Sequence, residues 1–286
     1  MSEAIALDVG GTHSRAAWFD GSGRIAWRAS VPTPGQGGPE AMLETMVQLL
    51  APLRDTPAPL GVAIAGQVSA DGCVTAHNPA LLCGWSRYPL GETLSVQLGR
   101  PVRVLNDARA AAWGEFRHGA GRGCDEFLFV TVSTGLGAGL VLDRRLHLAR
   151  NGLDAELGET RCADGRTLEE HACGTALSNW ARQHGYGDAR SLCDAADAGD
   201  ARADARWRDS IRQLVLKLAD LTVMLGIERT AVGGGVGLRE GYLRRLREAM
   251  AELPPLYRHE LRHAELGADA GLHGVAALVS AVSAPA

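Results

Sequence analysis

The feature that most constrains this chain is a unit of strand, glycine turn and strand that occurs twice. In the first copy, an apolar strand, the Gly10-Gly11 turn and a returning strand occupy residues 5–20. The same order occupies residues 127–143, where the turn is Thr134-Gly135-Leu136-Gly137. Self-similarity of this kind indicates a duplicated architecture.

Apolar strands and amphipathic helices alternate along the rest of the chain, which predicts layered α/β structure. Further buried strands are predicted at residues 60–65, 102–105 and 230–232, and helices at 39–53, 107–115, 174–183, 204–225, 239–251 and 270–282. We expect two α/β domains, residues 1–107 and residues 108–269. The C-terminal helix, at about 270–286, is expected to pack back on the first domain.

Composition excludes several classes of protein. The chain has 286 residues and a net charge of −4, and its basic residues form no stripe that would favour nucleic acid. No apolar run approaches the length of a membrane span, and the N-terminus enters a strand directly, which argues against a signal peptide. The six cysteines form no CxxC pair, so we expect reduced thiols in a cytoplasmic protein.

Three glycine-rich turns each follow a predicted buried strand: Gly10-Gly11-Thr12, Thr134-Gly135-Leu136-Gly137 and Gly233-Gly234-Gly235. Glycine lets backbone N–H groups approach a phosphate closely. Any one of these segments alone is better explained as a tight turn, whereas three at strand ends favour phosphate binding. Because the chain has neither a P-loop sequence nor a GxGxxG that opens a helix, hairpin turns are expected to hold the phosphates.

Two aspartates next to predicted strand ends are candidates for chemistry. Asp8 precedes the first glycine turn, where a carboxylate holds Mg²⁺ directly or through water, or simply initiates the turn. Asp107 lies between a strand and a helix, where it is either the helix N-cap or a general base that accepts a proton from a sugar hydroxyl. Asn106 is an alternative cap, and spacing alone supports both roles of Asp107 equally.

A second group of carboxylates lies in a glycine-containing segment of weak periodicity. Glu156, Glu159 and Glu169 are spaced so that they could hydrogen-bond sugar hydroxyls, although a solvated acidic loop is the more usual explanation. His171 lies close in sequence to Cys162 and Cys173, but this spacing matches no known zinc pattern.

Taken in order along nearly the whole chain, these motifs resemble the ROK family of sugar kinases. The segments that carry the resemblance are Leu7-Asp8-Val9-Gly10-Gly11-Thr12, Asn106-Asp107, residues 131–137, residues 232–237 and residues 269–274. The resemblance implies an actin-like (ribonuclease H-like) duplicated fold, with ATP and sugar in the cleft between two domains. It also implies a homodimer that binds neither nucleic acid nor membrane.

The resemblance implies a role for each matching residue. Asp107 is expected to be the catalytic base and Asn106 a sugar ligand, and Glu156 matches the Glu of the family's A-G-E segment, which is Asp154-Ala155-Glu156 here. Further sugar-binding residues are expected at Gly66, Asn78, Glu159 and Glu169. The nucleotide loops are expected to contain Asp8 (holding Mg²⁺ with ATP), Gly10, Gly11, Thr12, Thr134, Gly135, Gly234 and Gly235.

Three stretches resemble the members that phosphorylate the 6-hydroxyl of N-acetylmannosamine: Asn78-Pro79 followed by Gly84-Trp85, residues 106–113 and residues 237–242. Glucose and N-acetylglucosamine are the alternative substrates. The family also includes sugar-responsive repressors, but the first hairpin begins by Ile5, which leaves no room for an N-terminal helix-turn-helix. A non-catalytic sugar sensor is a further alternative, and the retained Asp8, Asp107 and glycine turns argue against it.

One departure from the family is large. ROK kinases usually carry a zinc site, formed by a His shortly after the A-G-E segment and a run of cysteines. In this chain Glu159 occupies the His position, and the cysteine run is shortened to residues 162–167, with Thr167 in place of its last Cys. At most one thiolate ligand remains, so no structural zinc is expected. Because the family's His also contacts the sugar, Glu159 is expected to influence which sugar binds.

Overall fold

The computed structural model describes residues 2–34, 37–76 and 83–282. The chain forms two compact units. The first contains residues 1–118, 147–154 and 268–286, and the second contains residues 119–146 and 155–267. The helix that begins at Asp107 thus groups with the first unit. The division of the chain into folding domains near Asp107 remains a prediction.

The first unit is built on a mixed sheet and a small hairpin. Its strands are β1 (Ala4–Val9), β2 (His13–Phe19), β3 (Ile25–Pro32), β4 (Leu60–Ile64), β5 (Gln67–Val68), β6 (Val74–Thr75) and β7 (Val102–Asn106). The five-stranded sheet has the order β3-β2-β1-β4-β7, in which β1 pairs antiparallel with β2 and parallel with β4. Strand β4 is a continuous apolar run, and β1 is apolar apart from Asp8, as is typical of strands with both faces buried.

The second unit repeats this arrangement. Its strands are β8 (Phe127–Val132), β9 (Leu136–Leu142), β10 (Arg145–Leu146), β11 (Arg229–Gly233) and β12 (Glu260–His263), in the order β10-β9-β8-β11-β12. As in the first unit, the first three strands in sequence are antiparallel neighbours, and the last two add in parallel. The duplication predicted from the sequence is confirmed.

Helices cover both sheets: α1 (Gly38–Leu50), α2 (Leu90–Leu98), α3 (Asp107–His118), α4 (Leu168–Ala172), α5 (Gly174–Gln183), α6 (Ala189–Asp197), α7 (Ala201–Leu225), α8 (Gly234–Gly237), α9 (Glu240–Ala251) and α10 (Ala270–Val282). The six predicted helices are present, although α1 gives way after Leu50 to a 3₁₀ turn. Helices α2, α4, α6 and α8 and strands β10 and β12 were not predicted. In the part of the chain described, none of the helices is long and apolar enough to cross a membrane.

Helices α3 and α10 pack against each other in the first unit. Two glycines allow this close approach, because a methyl group at Gly114 would overlap the Ala270 carbonyl oxygen. A methyl group at Gly274 would likewise overlap the Ala110 carbonyl oxygen. Helix α10 also covers β1 and β4, so it supports the strands that end near Asp8.

Candidate functional site

The first candidate site lies at the carboxyl edge of the parallel strands β1, β4 and β7. Val9 lies opposite Ile64, and Ile64 lies opposite Asn106. Asp8 is therefore one residue before this line, and Asp107 is one residue after it, where α3 begins. The carboxyl ends of parallel strands are the usual location of ligands in open α/β sheets.

Asp8 is held in an environment that opposes its ionisation. Its side chain is 16% exposed, and burial raises its pKa to about 7. Burial is the largest contribution to this value, which also includes the raising effect of the Asp107 and Asp269 charges and the lowering effect of Arg15, whose Nη1 lies 3.8 Å from Oδ2. The negative charges of Asp107 and Asp269 are the part of this environment that would attract a cation beside Asp8.

The residue that caps α3 is Asn106. Its Oδ1 accepts hydrogen bonds from the backbone N–H groups of Ala108 and Arg109, at 2.9 and 3.2 Å, which are the N2 and N3 positions of the helix. Asp107 Oδ1 accepts a hydrogen bond from the adjacent Ala108 N–H at 2.8 Å. The N-cap is therefore supplied by Asn106, and α3 does not depend on Asp107 for it.

Gly66 follows β4 at the same edge and is linked to the cap residue. Its φ of 97° is in the region that favours glycine, and its carbonyl accepts a hydrogen bond from Asn106 Nδ2 at 3.0 Å. Gly66, Asn106 and Asp107 are thus brought together in the first unit. Asn78, the other sugar-side residue expected there, lies outside the described residues.

The turn between β1 and β2 is a tight hairpin. The Gly10 N–H donates to the His13 carbonyl at 3.1 Å, and a Cβ atom at Gly10 would lie only 3.1 Å from that same oxygen. Gly11 and Thr12 are exposed at the tip. The backbone of this turn is therefore accessible, and it comes directly after the strand that carries Asp8.

The second unit presents two glycine turns at the corresponding edge of its sheet. Thr131 of β8 lies opposite Gly233 of β11, so the turns that come after these parallel strands are neighbours. In the first, the Ser133 N–H donates to the Gly135 carbonyl at 2.9 Å. The start of α5 supports this turn, because the Thr175 hydroxyl donates to the Thr134 carbonyl at 2.8 Å.

The second of these turns contains Gly234 and Gly235, which begin the short helix α8. Gly234 has a φ of 84°, and a methyl group there would overlap the Val132 carbonyl oxygen, so only glycine is accommodated without strain. Gly235 is exposed, and a Cβ atom added to it would meet nothing within 4 Å. Gly234 thus allows the turn to form, and Gly235 leaves the outer surface of the turn without a side chain.

The three glutamates singled out in the sequence lie in the second unit but differ in environment. Glu156 is half-buried at the start of a 3₁₀ turn, and Glu159 is exposed at its end. Glu169 Oε2 accepts a hydrogen bond from the Leu136 N–H at 2.8 Å, beside the Gly135 turn. The sequence did not predict this hydrogen bond, through which Glu169 supports a glycine turn.

The shortened loop at residues 162–167 is held by hydrogen bonds and ion pairs. Asp164 contacts Arg166 Nε at 2.7 Å and His171 Nε2 at 3.0 Å, and these hydrogen bonds hold the pKa of Asp164 well below its usual range. Thr167 forms a reciprocal capping box with Glu170 at the start of α4.

The residues of this loop do not fit the family's zinc site. His171 is paired with Asp164, and Thr167, at the position of the family's last Cys, is occupied as a helix cap. Within residues 2–34, 37–76 and 83–282 there is no group of three or more His, Cys, Asp or Glu arranged to hold a metal ion. All six cysteines are free thiols.

A buried ion pair next to the first site was not predicted from the sequence. Arg109 on α3 and Asp154 are almost fully buried, and Arg109 Nε lies 2.6 Å from Asp154 Oδ1. The available signal was an arginine within the alanine-rich segment 108–112, because a charged residue there must find a partner when the helix face is buried.

Two sheets of the same strand order, each with a glycine hairpin between its first two strands, define the class of actin-like proteins built from duplicated ribonuclease H-like units. The sequence model of the ROK family matches residues 4–282, and the chain belongs to this family.

Three relatives are particularly similar. The bifunctional enzyme NanE/NanK of Brucella melitensis is 38% identical over 284 residues, which cover 98% of this chain and 54% of the relative. This chain therefore spans about half the length of that protein. The N-acetylmannosamine kinase of Salmonella arizonae is 36% identical, with 96% and 97% of the two chains covered. A ROK family glucokinase from Streptomyces griseus, solved with glucose and AMPPNP, is 30% identical with a TM-score of 0.81, covering 98% and 100%.

Proposed function

We propose that this protein is an ATP-dependent kinase that phosphorylates the 6-hydroxyl of N-acetylmannosamine. The names of the Salmonella and Brucella relatives support this substrate, and the nucleotide analogue bound to the Streptomyces glucokinase supports ATP. The observation that carries the proposal is the arrangement at the edge of the first sheet. There Asp8, with its raised pKa, lies near Asp107, whose capping role is taken by Asn106.

In the proposed reaction, Asp107 accepts the proton of the 6-hydroxyl while that oxygen attacks the γ-phosphorus of ATP. The bond from the γ-phosphorus to the β–γ bridging oxygen breaks, and ADP leaves with the electron pair of that bond. Asn106 hydrogen-bonds the sugar and orients the hydroxyl toward Asp107. The backbone N–H groups of Gly10, Gly11 and Thr12 hold phosphate oxygens. Mg²⁺, held with ATP by Asp8, would neutralise charge on the phosphates.

The remaining ligands are assigned by the same proposal. The sugar is bound by Gly66, Asn78, Glu156 and Glu159. Glu169 combines sugar binding with its support of the Gly135 turn. The nucleotide is bound by Thr134, Gly135, Gly234 and Gly235 in the second unit. Because Glu159 occupies the position of a zinc-bound His, it would accept a hydroxyl hydrogen bond that a metal-bound imidazole cannot accept.

Three further features complete the proposal. We infer a cytoplasmic homodimer that binds ATP and sugar. We also infer that the protein uses Mg²⁺ with ATP and contains no structural zinc. The support is the family resemblance together with the loop at residues 162–167, whose Asp164, Arg166 and His171 side chains bind one another.

A glucokinase or N-acetylglucosamine kinase is the second candidate, and the similarity to the Streptomyces glucokinase favours it. A coupled ADP-release assay with glucose, mannose, N-acetylglucosamine and N-acetylmannosamine distinguishes the candidates. N-acetylmannosamine should give the highest kcat/KM. Phosphorylation of glucose without any of N-acetylmannosamine would favour the second candidate, and nucleotide-independent sugar binding without turnover would indicate a sensor.

A further inference from the structure

The buried pair of Arg109 and Asp154 connects several parts of the first unit. Their side chains are 3% and 4% exposed. Besides the bond from Nε to Asp154 Oδ1, Arg109 Nη2 donates to the backbone carbonyl of Asp154. Asp154 Oδ2 accepts a hydrogen bond from the Ala149 N–H at 2.6 Å. A buried ion pair is weak support for stability, since apolar residues of similar volume often serve as well, so its location calls for another explanation.

The third contact of the guanidinium reaches the candidate site itself. Arg109 Nη1 donates to Asn106 Oδ1 at 2.9 Å, while Asn106 Nδ2 donates to Gly66. An asparagine amide rotates in a broad torsional well. Here a flipped amide would face its NH₂ group toward the donors of Arg109. The guanidinium therefore acts together with the backbone N–H groups of Ala108 and Arg109 to fix which end of the amide faces α3 and which faces Gly66.

The segment of residues 147–154, which ends at Asp154, is also hydrogen-bonded to the β5–β6 hairpin. The Ala70 N–H donates to the Arg150 carbonyl at 3.1 Å, and Gln67 Nε2 donates to the Asn151 carbonyl at 2.5 Å. Asp154 is the last residue of this segment, and the chain then passes through Ala155, at a φ of 49°, into the second unit. It lies two residues before Glu156.

We propose that Arg109 and Asp154 are positioning residues for phosphoryl transfer. Arg109 fixes the amide of Asn106 and the backbone that carries Asp107, and it holds Asp154 at the start of the segment that carries Glu156. This role rests on the proposed kinase function. Asp154 occupies the position where the A-G-E segment of the family has Ala, so this acid is a departure from the family's motif. The pairing of Asp154 with Arg109 would then be particular to this chain.

Two variants separate positioning from mere stability. Arg109→Lys keeps a positive charge opposite Asp154 but loses the planar fork that contacts three groups at once. The double variant Arg109→Gln with Asp154→Ala removes both charges, so neither is left buried without its partner. In the full-length protein we expect both to fold, and to lose about 10²-fold in kcat with a raised KM for the sugar and an unchanged KM for ATP.

The matched control is Arg24→Gln, which removes an exposed arginine of the same unit that pairs with Asp20. Its kcat and melting temperature should equal those of the wild type. Wild-type kcat and sugar KM in a folded Arg109→Lys or double variant would overturn the positioning role. Failure of both variants to fold would also overturn it, because the pair would then serve stability. A wild-type protein that is inactive on every sugar would refute the proposed kinase function, and the role of the pair with it.

Discussion

The two sheets share one strand order but differ in the residues that lie just beyond their parallel strands. At the edge of the first sheet, a glycine turn is combined with two carboxylates, Asp8 and Asp107. At the edge of the second, both turns are glycine-rich, and Glu169 supports one of them through the Leu136 N–H. A duplicated scaffold thus offers two similar edges, and a few residues place Asp8 and Asp107 at the first and a second glycine-rich turn at the second.

The largest effect is expected from the removal of Asp107, one of the two carboxylates that distinguish the first edge. Asp107→Asn is isosteric, and Asn106 still caps α3, so the melting temperature should change little. Loss of a general base should lower kcat by about 10²–10⁴-fold. Steady-state kinetics and thermal unfolding measure the two effects. Wild-type turnover in this variant would show that Asp107 is not the base.

The ionised form of Asp8 should destabilise the first unit. Its pKa is about 7 in the folded protein against 3.8 as the ordinary value, so the native state retains a proton that the unfolded chain releases. Wild-type stability should therefore fall between pH 4 and 7 relative to Asp8→Asn, which cannot ionise.

Above pH 7, the Asp8→Asn variant should be more stable by roughly 3–4 kcal/mol, and the difference should nearly vanish near pH 4. Urea unfolding at several pH values tests this. A difference that is the same at pH 4 and pH 8 would contradict the raised pKa.

A third experiment examines the second edge, where two adjacent glycines should behave differently. Gly234→Ala combines a positive φ with overlap of the Val132 carbonyl and should lower the free energy of unfolding by about 1–3 kcal/mol. Gly235→Ala meets no atom within 4 Å and serves as the control for stability. Equal unfolding midpoints in urea for the two variants would show that Gly234 is not required by the backbone.

The smallest effect is expected from zinc removal, which tests the loop at residues 162–167. Because Asp164, Arg166 and His171 pair with one another, chelation followed by restored Mg²⁺ should leave kcat and the melting temperature unchanged. Elemental analysis after extensive dialysis should find far less than one zinc per chain. A stoichiometric zinc whose removal abolishes activity, and whose return restores it, would contradict this expectation.

The sequence predicted those elements that have strong local signals. Buried strands and helices such as α5 and α10 were located closely. Strand β12, which reads Glu-Leu-Arg-His, lacks both apolar alternation and a continuous apolar run, because it is an edge strand paired only with β11. Helix α6 did carry a local signal, the Asp188 cap, which was overlooked.

In the candidate site, spacing identified Asp8, Asp107 and the glycine turns, but it left the cap of α3 undecided. That choice depends on the orientation of the Asn106 side chain, which no local pattern records. The Arg109–Asp154 pair and the hydrogen bond from the Leu136 N–H to Glu169 join residues that are 45 and 33 positions apart. Contacts of this kind arise from the assembled fold and leave little trace in either partner's neighbourhood.

The contact of α3 with α10 has a consequence for the order of events during synthesis. The helix that carries Asp107 is translated well before α10, yet Gly114 and Gly274 show that the two are fitted to each other closely. The first unit must therefore wait for residues 268–282 to leave the ribosome, while most of the second unit is already available to fold. Contacts between segments so far apart in sequence slow folding. In a nascent chain, the sheet edge that carries Asp8 and Asp107 should therefore form last.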